Sequence, residues 1–301
     1  MQFNRSLSFR YGSLQRVTPT IRRLVAPNPG PFTHYGTGVY VVGEGNVAVI
    51  DPGPKNPAHV HALLTQLGAE TVEAIFVTHT HNDHSPAAAL LKDMTGATVY
   101  GFDRYSGKGD AVSASMHVEE GRDAAFSPDR FLKDGDVVDG AGWQLQALHT
   151  PGHTSDHLCY AYEAETAVFT GDHVMGWSTT VIAPPDGDMD SYIMSLEKLL
   201  PRDDTVFYPT HGAPIDNPHE FLIGLINHRH DREQQILRCL ARKLETIPEI
   251  VSQIYTHVPP ELHAAAACSV WAHLIALCGR KVARCAQADM PLTAKYRLSS
   301  I

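Results

Sequence analysis

Residues 76–86 read FVTHTHNDHSP, and no other stretch constrains this chain as strongly. His79, His81, Asp83 and His84 fall within six positions, directly behind an apolar, β-rich run. If that run is a buried strand carried through to the histidines, the two imidazoles of H-x-H share one side, because side chains alternate along an extended chain. Ser85-Pro86 then reads as the cap and first residue of a helix, and the turn into it carries Asp83 and His84 to a neighbouring point. Such a layout suits two adjacent metal ions better than one. The first would take His79, His81 and a distant histidine. The second would take Asp83, His84 and another distant histidine, with an anionic oxygen ligand between the ions to screen their repulsion. His153, Asp172 and His211 are the residues on offer for these roles. Nitrogen and carboxylate donors without thiolate favour Zn²⁺, with Fe or Mn as alternatives.

The rest of the chain supplies a frame for that cluster. Residues 38–51 read as two β runs around a Gly-Glu-Gly-Asn turn. NPAHVHALLTQLG reads as a helix closed by Gly68, and VEAIFVT as a buried strand. A helix through AAALLKDMTG and a strand at ATVYGF follow, so 38–101 alternates as an α/β sheet does. A second block repeats the logic: a strand into the turn before His153, a hairpin ending at Asp172, a helix capped by Asp190, and a strand ending at His211. Polar groups gathered at strand ends predict a site on one rim of a sheet. From Pro218 to Leu244 the pattern is helical. Thr246–Glu249 forms a capping box for a second helix, and ELHAAAACSVWAHLIALCG is a third. Two short β runs close a small winged-helix-like α+β domain. These readings divide the chain into 1–227 and 228–301, with the boundary inside a helix.

Composition narrows the function classes. The 301 residues are 43% apolar and 19% charged, as in an ordinary globular protein. The N-terminal segment lacks the apolar core of a signal peptide, and no run of about 20 apolar residues could span a membrane. Five cysteines without a C-x-x-C fit free thiols, so a cytoplasmic location is expected. The net charge of −9 is uneven: residues 228–301 hold ten basic and six acidic side chains, and 1–227 hold 14 and 27. The larger part is therefore a poor electrostatic match for nucleic acid.

THTHNDHS, TPGHTSDH, TGDH and PTHG together resemble the successive motifs of the metallo-β-lactamase superfamily, across most of residues 35–215. The resemblance implies an αββα sandwich with its site at one edge. It implies His79, His81 and His153 at one metal, Asp83, His84 and His211 at the other, and Asp172 bridging. The tail is similar to the winged helix of the lactamase-beta-2-like branch. That branch includes a single-stranded RNA endonuclease, thioesterases of fungal polyketide pathways and bacterial hydrolases. Asp172 and the missing signal peptide argue against β-lactam hydrolysis.

The leading expectation is a dinuclear metal-dependent hydrolase of a small-molecule ester or thioester, acting by attack of a metal-bridging hydroxide that Asp83 and Asp172 hold and orient. One alternative is a single-stranded RNA endonuclease, with Arg229, Arg232, Arg238, Arg242 and Lys243 holding the strand. The other is a non-catalytic sensor that binds DNA through the winged helix. The oligomeric state is left open between a monomer and a homo-oligomer.

Several residues carry a plainer reading. Asp156 and His157 are expected to anchor a turn, and His173 to be structural. Asp51 divides evenly between orienting a ligand histidine and capping a turn. Trp177 divides between pocket wall and core. His228, His230, His257, His263 and His273 are expected at the surface or in packing, and Cys159 in the core.

Overall fold

The structure, a computed structural model, describes residues 2–102 and 121–299. One sheet has seven strands in chain order: β1 (Gln15–Arg16), β2 (Ile21–Val25), β3 (Gly38–Val42), β4 (Asn46–Ile50), β5 (Thr71–Phe76), β6 (Thr98–Phe102) and β7 (Arg130–Leu132). Its first four strands pair antiparallel and its last four parallel, β4 belonging to both sets. A second sheet runs β12-β11-β10-β9-β8, from β8 (Val137–Gly140), β9 (Trp143–His149), β10 (Leu158–Tyr162), β11 (Ala167–Gly171) and β12 (Val206–Pro209).

The near-continuous apolar strands follow from burial on both faces. Tyr40, Ile50 and Phe76 of the first sheet meet Leu145, Tyr160 and Phe169 of the second in one cluster between the sheets. On the first sheet's outer face Val39, Val49 and Ile75 pack against α1 (Pro57–Leu67) and α2 (Ala87–Thr95). On the second sheet's outer face Ala161, Val168 and Phe207 pack against α3 (Met189–Leu199) and the first half of α4 (Pro218–Ala241). The result is the αββα sandwich.

The long helix α4 joins the two units. Phe221, Leu222 and Leu225 face the second sheet, while Ile236, Cys239 and Leu240 join a separate core. That core is completed by α5 (Ile247–Ile254), α6 (His263–Gly279) and the hairpin β13 (Ala283–Cys285) and β14 (Tyr296–Leu298), which make the winged-helix domain. The capping box opens α5 as expected, with Thr246 N donating to the Glu249 carboxylate at 2.9 Å.

Four local readings need correction. The strand β5 stops at Phe76, so His79 and His81 lie in a loop and not on alternating strand positions. Ser85 does not cap α2. Its hydroxyl donates to Asp123 Oδ2 at 2.8 Å, and Pro86 stands at the N-cap. The cap of α3 is Asp188, which accepts from Ser191 N at 2.7 Å, two residues before Asp190. The helix α4 also ends at Ala241, before Leu244.

Candidate metal centre

The loop after β5 is shaped by one buried carboxylate. Asp51, just past β4, accepts from Thr78 N and Thr78 Oγ1, each at 2.8 Å, from Thr210 Oγ1 at 2.9 Å and from His84 Nδ1 at 2.8 Å. It thereby ties the ends of β4, β5 and β12 together at one rim. Because the single Thr78 proton goes to Asp51, its oxygen accepts from His79 Nδ1 at 3.1 Å. His79 therefore turns its Nε2 lone pair inward. The same logic holds His153, whose Nδ1 donates to Val181 O at 2.8 Å, and His211, whose Nδ1 donates to Gly36 O at 3.1 Å. Fixing one ring nitrogen on a carbonyl or carboxylate is how metal-binding imidazoles are oriented.

All seven residues singled out in the sequence meet in this cluster. His79, His81 and His153 form one group, Asp83, His84 and His211 a second, and His79, His84 and Asp172 a third that links them. Within each group the donor atoms lie within 4.8 Å of one another. His81 Nδ1 is 2.9 Å from His79 Nε2 and 3.2 Å from His153 Nε2. The Asp172 carboxylate faces both triads: Oδ1 is 3.5 Å from His84 Nε2 and 3.4 Å from His211 Nε2, and Oδ2 is 3.9 Å from His153 Nε2.

The side chains fit divalent cations. His84 Nε2 and Asp172 Oδ1 are buried and make no hydrogen bond of ordinary length, an arrangement that folded proteins rarely leave without a partner, and His211 Nε2 faces the Asp83 carboxylate at 2.9 Å. The charges agree. Burial disfavours ionised carboxylates here, yet His84 and His211 hold Asp83 well below the usual range and bring Asp172 down to about 2. Burial likewise opposes a charged His84, but Asp83, Asp172 and Asp51 raise it well above an ordinary imidazole. His211 is raised for similar reasons, by Asp172 and Asp83 against burial. His79 goes the other way, driven well below its ordinary value by burial and then by the neighbouring histidines. Metal uptake at such a site displaces protons.

Two supporting residues do more than the sequence reading gives them: it expects His157 only to anchor a turn, and it does not single out Thr180. His157 is fully buried; its Nδ1 sits 3.0 Å from Thr150 Oγ1, and its Nε2 accepts from Asp172 N at 3.2 Å. It acts on Asp172 from beneath, beyond anchoring a turn. Gly171, at φ 51°, leaves room for it, since a Cβ there would fall 2.6 Å from His157 Nε2. The second is Thr180, whose hydroxyl donates to Asp172 O at 2.6 Å. Neither role follows from spacing, because the partners lie on separate elements.

The remaining candidates sort as follows. Asp51 orients His84. Asp156 accepts from Thr80 Oγ1 at 2.7 Å and steadies the loop. His173 is buried against Tyr192, and Cys159 is buried in the core, its thiol pushed up to about 12 by burial. Trp177 lines the cavity above the cluster and stacks on His34 at 4.7 Å. His228 and His257 also line that cavity, a role their spacing did not reveal. The basic residues assigned to an RNA strand do not form one face: Arg229 is 2% exposed and donates to Thr180 O at 2.6 Å, whereas Arg238 is exposed.

An αββα sandwich with a buried His/Asp cluster at one rim, joined to a winged helix, defines a class of metal-dependent hydrolases. Comparison with known proteins agrees. The family model described as the metallo-beta-lactamase superfamily matches residues 34–211, and that of the beta-lactamase associated winged helix domain matches 246–285. The chain is 31% identical over 274 residues to the beta-lactamase-like protein 2 homolog of Caenorhabditis elegans, covering 88% of this chain and 86% of that protein. It is 29% identical over 266 residues to a protein of Aspergillus chevalieri named atrochrysone carboxyl ACP thioesterase, covering 83% and 77%. The crystal structure of a beta-lactamase domain protein from Burkholderia ambifaria superposes with a TM-score of 0.79 at 20% identity, over 96% of this chain and 94% of that one, a likeness of fold. The chain belongs to the metallo-β-lactamase superfamily, and it is a hydrolase.

Proposed function

We propose that this protein is a dinuclear metal-dependent hydrolase that cleaves a thioester, or an oxygen ester of the same kind. One observation carries the reading: the Asp172 carboxylate turns one oxygen toward each histidine-rich triad. In this reading His79, His81 and His153 hold one ion, and Asp83, His84 and His211 the other. Zn²⁺ is the first choice for that donor set, with Fe or Mn as alternatives. Two such ions supply, when bound, an acidified water and a Lewis acid for the carbonyl oxygen that gains charge. Asp172 keeps the two triads in register through its two oxygens. Asp83 and Asp172 orient the attacking water by accepting its hydrogen bonds. Asp51, Val181 O and Gly36 O hold the imidazole protons on the outward nitrogens, so that the inward nitrogens stay free to donate to metal.

The choice of a thioester is supported by the thioesterase-named relative and by the cavity above the cluster, whose walls include Phe32, Trp177, Val258 and Leu262. We place the domain boundary at residues 227/228, where α4 passes from one core to the other.

The test pairs metal analysis of the purified chain with a panel of acyl thioesters, lactones, phosphodiesters and short RNA. Thioester cleavage is expected, abolished by a chelator and restored by Zn²⁺ or Mn²⁺. His81→Ala and Asp172→Ala should lose turnover while keeping the circular dichroism spectrum. Full turnover in either variant would sink the dinuclear reading, and cleavage of RNA alone would sink the thioester.

A further inference from the structure

The metal cluster opens into a cavity of about 700 Å³ whose far wall comes from α4 and from residues between Tyr255 and Ser269. Its charge runs against that of the protein. The chain carries −9 overall, yet Arg5, Arg229 and Arg232 line this cavity, and its carboxylates are Asp83 and Asp172 of the cluster.

Two of these arginines are built into the wall. Arg229 is 2% exposed, its guanidinium 4.9 Å from the centre of the Tyr192 ring, and its Nε has no hydrogen-bond partner. Arg232 lies 4.4 Å over the Tyr255 ring and donates to Gln235 Oε1 at 2.7 Å, and its Nε is likewise buried without a partner. Among the described residues neither guanidinium meets a carboxylate. Other arginines do pair, as in Arg22 with Glu70, Arg202 with Glu163 and Asp204, and Arg280 with Glu233, while Arg23 is also buried without a carboxylate but does not line this cavity. A buried cation without a counter-charge is strongly disfavoured, so its presence beside a cavity marks a place where a ligand supplies the charge. The guanidinium fork matches planar or tetrahedral oxyanions. A thioester group is itself neutral, so the bond to be cleaved does not account for these residues.

We propose that Arg229 and Arg232 form an oxyanion-binding subsite of the cavity, and that the substrate is a thioester bearing a carboxylate or phosphate remote from the scissile bond. This rests on the thioester reading above. The cavity's apolar lining, which includes Met175, Trp177, Val258 and Leu262, fits the hydrocarbon part of such a substrate. The anion has two sources: a carboxylate on the acyl chain or a phosphate on the thiol arm.

The test uses the full-length, Zn²⁺-loaded protein and two matched pairs of substrates. Glutaryl and pentanoyl thioesters of N-acetylcysteamine differ by an acyl carboxylate. Pentanoyl-4′-phosphopantetheine and pentanoyl-pantetheine differ by a thiol-arm phosphate. In one pair the charged member should exceed its neutral twin in kcat/KM by about tenfold or more, as for a hydrogen bond to a charged group. Arg232→Gln should collapse that ratio toward one, and Arg232→Lys should restore part of it. The pair that shows the preference identifies the source. Equal rates within both pairs, or a preference that survives Arg232→Gln, would overturn the subsite. Calorimetry with glutarate and with 4′-phosphopantetheine runs in parallel. If no thioester is cleaved, the hydrolytic reading fails by itself, and binding still decides: weaker anion affinity in Arg232→Gln supports the subsite, and unchanged affinity removes it.

Discussion

Asp51 shows how much one side chain can organise. Its four hydrogen bonds join three strand ends and fix the tautomer of His84. Its φ of 49° is one that asparagine also adopts, so Asp51→Asn keeps the backbone while removing the charge. That change should weaken Zn²⁺ binding by about 10- to 100-fold, read by competition with a chromophoric chelator. The lost hydrogen bonds should cost about 1–3 kcal/mol of stability, read from urea unfolding. Unchanged metal affinity would deny Asp51 its positioning role. At this scale the sequence made the candidate ligands visible, because His79, His81, Asp83 and His84 crowd into six positions. It left Asp51 undecided and undervalued His157, since each acts on an atom supplied by a distant segment.

Among the elements, the segment from Trp177 to Val181 ties α4 to the metal cluster. Arg229 of α4 donates to Thr180 O, Thr180 Oγ1 donates to Asp172 O, and Val181 O accepts from His153 Nδ1. Thr180→Val keeps the shape and leaves the buried Asp172 carbonyl without its donor. We expect a loss of about 1–3 kcal/mol, together with a fall in kcat larger than any change in KM. A variant matching the parent in urea midpoint and kcat would show that the tie is idle. Strands and helices were legible here from apolar runs and from caps such as the Thr246–Glu249 box. Their ends were less so. Asp188 and Asp190 are both plausible caps by residue type, and only the path of the preceding chain, with Asp188 N bonded to Gly152 O at 2.9 Å, selects the former.

Across the whole molecule, many histidines are buried in the neutral form. Burial lowers His59 to about 4, partly offset by a backbone hydrogen bond, and lowers His173 to about 3. His273 is depressed well below its ordinary value by burial and by Arg229. An unfolded chain takes up these protons near pH 6.5. The folded pKa values lie below the unfolded ones, so this stability is complete above about pH 6.5 and is lost as pH falls toward 4 and below. The urea midpoint should therefore drop between about pH 6.5 and 4.5, with or without a chelator present. A flat midpoint over that interval would contradict neutral burial. The winged helix is equally part of the whole: Ala272 and Ala276 of α6 pack into the core over the second sheet. A fragment ending at residue 227 cuts α4 in mid-length and bares that face. It should aggregate or fail to fold, as judged by soluble yield and circular dichroism, and a soluble folded fragment would show the sandwich to be autonomous.

What the chain's order of residues determined was local and chemical: which side chains can bind metal, where apolar runs become strands or helices, and that two units follow one another. Those properties depend on neighbours in sequence, and periodicity and composition carry them. Only the tertiary structure decided which distant atoms meet. Asp172 came to face both triads, His157 came to lie beneath it, and two arginines of α4 came to line an acidic protein's cavity without a counter-charge. Such contacts are set by sheet packing and helix docking over long separations, where loop closure and burial choose the partners and no local pattern records the choice.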